Sequence, residues 1–251
     1  MAIPAYFFGS GILWAIPTIT LAGVAVTYPT PVPFGGLQDV TIDLAWTTKE
    51  LHGLYQLPLA IGRGTCKITG KAKAARITAT LFNQCFGETQ AAGETKVIFD
   101  EADTVTTNNI TVAQNATWVL DLGVKYSNNG LSLTRLSAQN AVGTYSVAAG
   151  VYNFNSGDNN VAMKVGYTYT TATGPGQTFT INNQLIGLAP YFKAVLNGQF
   201  QGNNLTLTLN QCTASKLSVA TKLEDFMIPE FDFGAMADSS NVLGTLSVAS
   251  S

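Results

Sequence analysis

The sequence predicts a mainly β chain: a sandwich or barrel of paired strands, one flanking helix at about 75–86, and a small β module inserted into the larger domain. Three observations carry this expectation. Apolar and polar residues alternate through most segments, which is the period of a half-buried strand. One segment alone shifts to helical spacing. The middle of the chain gathers short aromatic strands between Gly-, Asn- and Thr-rich stretches. With 251 residues the chain can bury a sizeable core and hold one large β domain with a smaller module.

The N-terminal "MAIPAYFFGSGILWAIPTITLAGVAV" is apolar and precedes the first basic residue, Lys49. It lacks the basic start of a secretory signal. Pro4, Gly9, Gly11, Pro17 and Gly23 interrupt any spanning helix. An apolar arm that packs on a neighbouring subunit is the expectation. In "DVTIDLAW", Val40, Ile42, Leu44 and Trp46 share one parity, as a half-buried strand requires.

"GRGTCKITGKAK" (62–73) looks at first like a phosphate-binding loop. That loop needs four residues between its second glycine and its first, and a hydroxyl after the lysine. Here five residues separate Gly64 from Gly70, and Ala72 follows Lys71. By parity Thr65, Lys67, Thr69, Lys71 and Lys73 share one face and Cys66, Ile68, Ala72 and Ala74 the other, so the stretch reads as a strand. The lysine stripe is either a solvated face or one that meets acids on another copy, with Glu224, Asp225, Glu230 and Asp232 as the candidates.

In "ITATLFNQCFG", Ile77, Leu81, Phe82 and Cys85 fall at helical spacing, and Gly87 follows as a left-handed stop. "ETKVIFDE" (94–101), "YFKAVLNGQFQ" (191–201) and "LTLTLN" are further strands. Tyr145 and Val147 lead to a turn at Gly150, and Tyr152 and Phe154 return out of phase, as in a hairpin. Val161, Met163, Val165, Tyr167 and Tyr169 alternate with polar residues. These strands define a module at 112–173, entered through "DTVTTNNITVAQNAT" and left through "TTATGPGQT". Residues 1–111 and 174–251 form the discontinuous surrounding domain. "KLEDFMIPEFDFGAMAD" carries five of the fifteen acids, and Pro229 predicts a loop with a short helical turn on either side.

Charge is sparse, 11% against roughly 25% in an average soluble domain. Much of the surface is therefore expected to be covered by partners. A net charge of −2 does not suit a protein that clamps nucleic acid through its phosphates. Three scattered cysteines form neither a metal motif nor a disulfide framework and point to a reducing compartment. The single histidine, His52, stands outside any HExxH pattern, and no G-x-S-x-G elbow is present. Asp100 and Glu101, as neighbours on a strand, point to opposite faces and are poorly placed to share acid–base work. No catalytic, cofactor-binding or metal-binding residues are assigned. The aromatics of 145–169 read as a sandwich core or as a sugar platform built on Tyr152 and Tyr167.

Taken together, "FGGLQDVTIDLAWTTKELHGLYQLPLAIGRGTCKITGKAKAARI", "NQLIGLAPYFKAVLNGQF", "LTLTLNQCTASKLSVATKLEDFMIPEFDF" and "VLGTLSVAS" resemble the major tail tube proteins of long-tailed bacteriophages. "GTYSVAAGVYNF" with "VGYTYT" resembles a small β module of phage structural proteins. The resemblance implies two packed sheets flanked by a helix, and homo-oligomeric rings of six subunits stacked into a tube without cofactors. Strands of all subunits would close an inner barrel and remove the sheet edges. DNA would slide through during ejection without specific binding, which an acidic chain favours. Tape measure, terminator and distal tail proteins would be the partners, with no membrane. The place would be the virion tail, of the non-contractile type, assembled in the host bacterial cytoplasm. Assembly contacts would draw on Lys67, Lys71, Lys73, Glu224, Asp225, Glu230 and Asp232. The rivals are a tail terminator, a capsid decoration protein, or a binding module for host glycans.

Overall fold

The computed structural model describes residues 8–76, 78–87, 89–174, 176–221 and 223–249. These are mainly strand, with one α-helix among them. In chain order the first elements are β1 (Ile12–Ile19), β2 (Val32–Pro33), β3 (Leu37–His52), β4 (Pro58–Ala74), α1 (Ala79–Phe86) and β5 (Thr89–Ala92). Next come β6 (Glu94–Thr104), β7 (Asn109–Thr111), β8 (Trp118–Tyr126), β9 (Thr134–Arg135), β10 (Thr144–Ala148), β11 (Val151–Phe154) and β12 (Ala162–Thr171). The chain ends with β13 (Gln177–Thr180), β14 (Tyr191–Phe200), β15 (Asn203–Ser218), β16 (Glu230–Met236) and β17 (Gly244–Ala249). Two compact units result, Met1–Thr89 with Phe179–Ser251, and Gln90–Thr178.

The discontinuous unit is built on one sheet in the order β2-β1-β14-β15-β16-β4-β3, with β17 also paired to β15. Phe34, just past edge strand β2, meets the ring of Phe231 on β16 at 5.5 Å, edge to face. Three strands lie between β2 and β16, so the sheet bends over its own core. Leu13, Ala72, Phe192, Leu209, Phe231 and Phe233 fill that core. Gly70 serves the packing directly. A Cβ there would stand 2.1 Å from the Phe233 ring, so only the bare backbone lets the ring lie on the strand.

Helix α1 covers the same core with Leu81 and Cys85, one turn apart and both buried. Thr78 caps its start, the hydroxyl accepting from the Leu81 N–H at 3.4 Å. Gly87, at φ 69°, ends it, donating to the Asn83 carbonyl at 2.7 Å. The helix is shorter at its start than the sequence spacing suggests, because the cap is Thr78; Ile77 lies outside the described residues.

The N-terminal stretch also differs from expectation. Residues 12–19 form an internal strand, with Leu13 and Ala15 buried and the whole of β1 paired to β14, so they serve this unit's own core and not a free arm. Residues 1–7 of that stretch lie outside the described residues. The segment after Pro229 is a strand where a loop and a helical turn were expected. Phe231 and Phe233 point in and Glu230 and Asp232 point out, and this period of two sets a strand that starts directly after the proline. No described helix is long and apolar enough to cross a membrane.

The second unit packs a four-stranded sheet, β7-β11-β10-β9, on a three-stranded sheet, β6-β12-β8. Its hairpin turns at Ala149 and Gly150, with φ of 46° and 75°, between Ala148 and its partner Val151. This unit opens at Gln90, earlier than the 112 of the sequence expectation. Strand β6 pairs with β12 along its length, and Val105, Ile110 and Val112 of the supposed entry linker are buried in the unit's core. The Asn- and Thr-rich composition of 103–117 hides this alternation, since its apolar residues are few and single.

Two carboxylates are enclosed in this unit, the buried Asp158 and the side chain of Asp121, which is 3% exposed, and both are satisfied. Asp121 accepts from Tyr145 Oη at 2.8 Å, from Tyr152 Oη at 3.1 Å and from the Gly123 N–H at 2.9 Å. Asp158 accepts from Tyr126 Oη and the Gly143 N–H, both at 3.1 Å. Buried charge is tolerated when its lone pairs are filled in this way.

Candidate assembly interface

Strands β3 and β4 are far longer than the sheet that holds them. Strand β16 pairs with β4 only from Lys73 to Ile68. Beyond that point, among the described residues, the two strands pair only with each other, from the Ala45–Lys67 pair to the turn after His52. The ribbon extends about 25 Å past the sheet, at ~3.3 Å per residue. No described residue from 43 to 67 is buried.

Val40 and Ile42 lie on a half-buried strand as the alternation predicts, but Leu44, paired with Ile68 in the last row that β16 reaches, and Trp46, beyond that row, are exposed despite the same parity. At the tip Leu54 is 100% exposed, Tyr55 81% and Leu57 79%. Leu51, Leu59 and Ile61 lie open beside them. A two-stranded ribbon with water on both faces is marginal by itself. Local contacts brace it: Arg63 lies over the Trp46 ring at 3.8 Å, and the Thr47 and Thr65 hydroxyls are 3.2 Å apart. His52 is exposed and meets Glu50 Oε2 at 3.1 Å. None of this explains why apolar side chains stand at the tip. They are suited to burial against another surface.

Two further exposed apolar segments belong to the same unit. Residues 181–188 present Ile181, Leu185 and Ile186, and residues 223–228 present Leu223 and Phe226. Neither lies in a strand. The outer edges of β3 and β17 carry no neighbouring strand among the described residues, and open edges can accept a strand from another chain.

The charged residues expected to meet between copies are partly brought together within one chain. The register sets Glu230 beside Lys73 and Asp232 beside Lys71. Lys71 Nζ lies 3.8 Å from Glu230 Oε1, Lys73 Nζ 3.8 Å from Asp39 Oδ2, and Lys216 Nζ 3.9 Å from Asp232 Oδ2. These are surface contacts of about 0–1 kcal/mol each. Lys67 stands further out on the ribbon, and Glu224 and Asp225 are exposed at the turn before β16. The apolar tip of the ribbon, which sequence reasoning missed, is the larger feature. The signal was present in "LHGLYQLPLAI", where apolar residues crowd a turn.

Tyr152 and Tyr167 are fully buried, so they form core and not a sugar platform. Asp100 and Glu101 do point to opposite faces. Asp100 meets Lys125 and Lys164 outside, while Glu101 accepts from Tyr167 Oη and the Ala113 N–H. Burial pushes the thiols of Cys85 and Cys212 up to about 12, which removes them as nucleophiles near neutral pH. Cys66 is exposed on the ribbon. Among the described residues no cluster of three or more His, Cys, Asp or Glu could hold a metal ion. No protein-family model and no curated protein matches the chain.

Proposed function

We propose that this chain is a structural subunit of a phage-type tail tube, assembling into stacked hexameric rings that form a conduit for DNA. The observation that carries this is the β3–β4 ribbon. It projects from a sheet with open edges and exposes apolar side chains where no part of the same unit covers them. Such a ribbon gains stability when a neighbour buries it, and where it docks on a different surface of the next copy the repeated contact closes into a ring or continues as a filament. Open edges on β3 and β17 suit closure of a larger barrel by strands from adjacent copies. The resemblance of the sequence to tail tube proteins supports the same reading.

Negative-stain electron microscopy of the protein alone, over a series of concentrations, tests it. Hollow tubes or stacked rings are expected. Closed rings that never stack would fit a tail terminator, and a particle that binds only preformed capsids would fit a decoration protein. A monodisperse monomer at every concentration, also after addition of tail initiator components, would sink the proposal.

A further inference from the structure

The outer face of the β6-β12-β8 sheet holds a groove of about 300 Å³ that the tube reading does not use. Its floor is made by Gly123 and Gly166, directly paired across β8 and β12. Neither has a side chain, so the backbone lies bare. A Cβ on Gly123 would meet nothing within 4 Å, which leaves open space above the floor. One wall is Phe99, 79% exposed, on the adjacent strand β6. The other end is polar: Asp100 Oδ1 lies 2.7 Å from Lys125 Nζ, and Asp100 Oδ2 lies 3.8 Å from Lys164 Nζ. Asp100 holds φ 60°, an unfavourable conformation for a residue with a Cβ, at the bulge where β6 and β12 shift register.

A flat floor, one upright aromatic and a cluster of polar groups at one end form a particular combination. A purely apolar partner would leave Asp100, Lys125 and Lys164 desolvated without new hydrogen bonds, which is costly. A small inorganic anion would ignore Phe99. A pyranose ring suits both halves. Its axial C–H face is apolar and flat enough to lie against an aromatic ring, and its hydroxyls donate to a carboxylate and accept from ammonium groups. The groove carries two cations and one anion. Lys164 is the more loosely held of the two, which leaves it able to meet a second carboxylate.

We propose that the unit Gln90–Thr178 binds an acidic saccharide in this groove. The pyranose ring lies between Phe99 and the Gly123–Gly166 floor, its hydroxyls reach Asp100 and Lys125, and a uronic-acid carboxylate pairs with Lys164. The site is distinct from the sugar platform expected on Tyr152 and Tyr167, and it is independent of whether the chain forms tubes.

The test is calorimetric titration of the full-length protein with tetragalacturonate and, in parallel, neutral maltotetraose. Saturable binding of the uronate is expected, with the neutral sugar weaker by about tenfold. F99A should weaken uronate binding by about tenfold or more. G166A should do the same by raising the floor. Its Cβ would sit 3.4 Å from Leu122 Cβ, and the position has no left-handed φ, so the fold accommodates it. K164A should reduce the uronate to the affinity of the neutral sugar, while Lys125 keeps Asp100 in place. Unchanged thermal unfolding of the three variants confirms that the fold is intact. No saturable binding of the uronate at millimolar concentration overturns the proposal, as does binding that F99A and G166A leave untouched. Self-association that F99A abolishes, without any heat from the sugar, would assign the face to contacts between copies and also overturn it.

Discussion

Replacing Leu54, Tyr55 and Leu57 together by serine separates stability from assembly. In the isolated chain these side chains are almost fully in water, so their loss removes no buried contact. Surface substitutions of this kind change folding stability by about 0.5 kcal/mol or less. In an assembled array each side chain, if buried by a neighbour, contributes about 1.5–3 kcal/mol. Losing even one is then a factor of about ten to a hundred in the contact's equilibrium constant. The triple variant should therefore unfold in urea at the wild-type midpoint. Its assembly threshold, read by light scattering against concentration, should rise beyond the accessible range. A midpoint that falls markedly would mean the tip packs on its own chain in solution. Tubes that form at the wild-type concentration would refute the ribbon as the assembling element.

Gly70→Ala should destabilise the protein by about 1–3 kcal/mol through overpacking, measured by urea unfolding, since the new methyl would occupy the position of the Phe233 ring. Ellman's reagent at pH 8 should titrate one thiol of the native chain quickly, Cys66, and reach Cys85 and Cys212 only on unfolding. Burial first, and then hydrogen bonds to carboxylates, raise the hydroxyls of Tyr126 and Tyr167 above the ordinary tyrosine value, and Tyr145 is raised from the same causes. Tyr152 is raised chiefly by burial. The unfolded chain then loses these protons at lower pH than the folded one, so their contribution is complete below about pH 10 and fades as pH rises above it. The unfolding midpoint should fall as pH rises from about 10 to 12 and fall less steeply in Y145F, while a flat profile would contradict the burial of these hydroxyls.

The strands were legible wherever the apolar period of two runs for four residues or more. Met163, Val165 and Tyr167 are an example, all buried on one face of β12. The helix was legible from its spacing and from Gly87, because a left-handed cap needs a residue without a Cβ. Two kinds of information were not legible. One is which strand a strand pairs with. The alternation of "ETKVIFDE" shows a strand but not that its neighbour is β12, about seventy residues on, so the start of the module at Gln90 cannot be read from it. The other is where a sheet stops. Val40 and Trp46 obey the same parity, yet only Val40 has the sheet's core beneath it. Parity reports which side of the ribbon a residue takes. It carries no information about whether anything lies on that side.

The same distinction bears on the sparse charge. Taken over the whole chain, 11% charged residues suggests a surface covered by partners everywhere. The exposed apolar side chains are not spread evenly. In the discontinuous unit they crowd the ribbon tip and the segments 181–188 and 223–228, while the outer face of β3, β4 and β16 carries Asp39, Lys71, Lys73, Glu230 and Asp232 in matched rows. A face whose charges are matched within one chain has little to gain from a charged partner, whereas an apolar tip loses water on contact with any surface that fits it. Assembly driven through the ribbon should therefore withstand high salt, and strengthen in sulfate, which favours apolar burial. Assembly through the lysine stripe and the acids would weaken steadily as salt rises. Scattering thresholds measured across a sodium chloride series and a sodium sulfate series distinguish the two: a threshold that climbs in both salts would transfer the interface from the apolar tip to the charged rows.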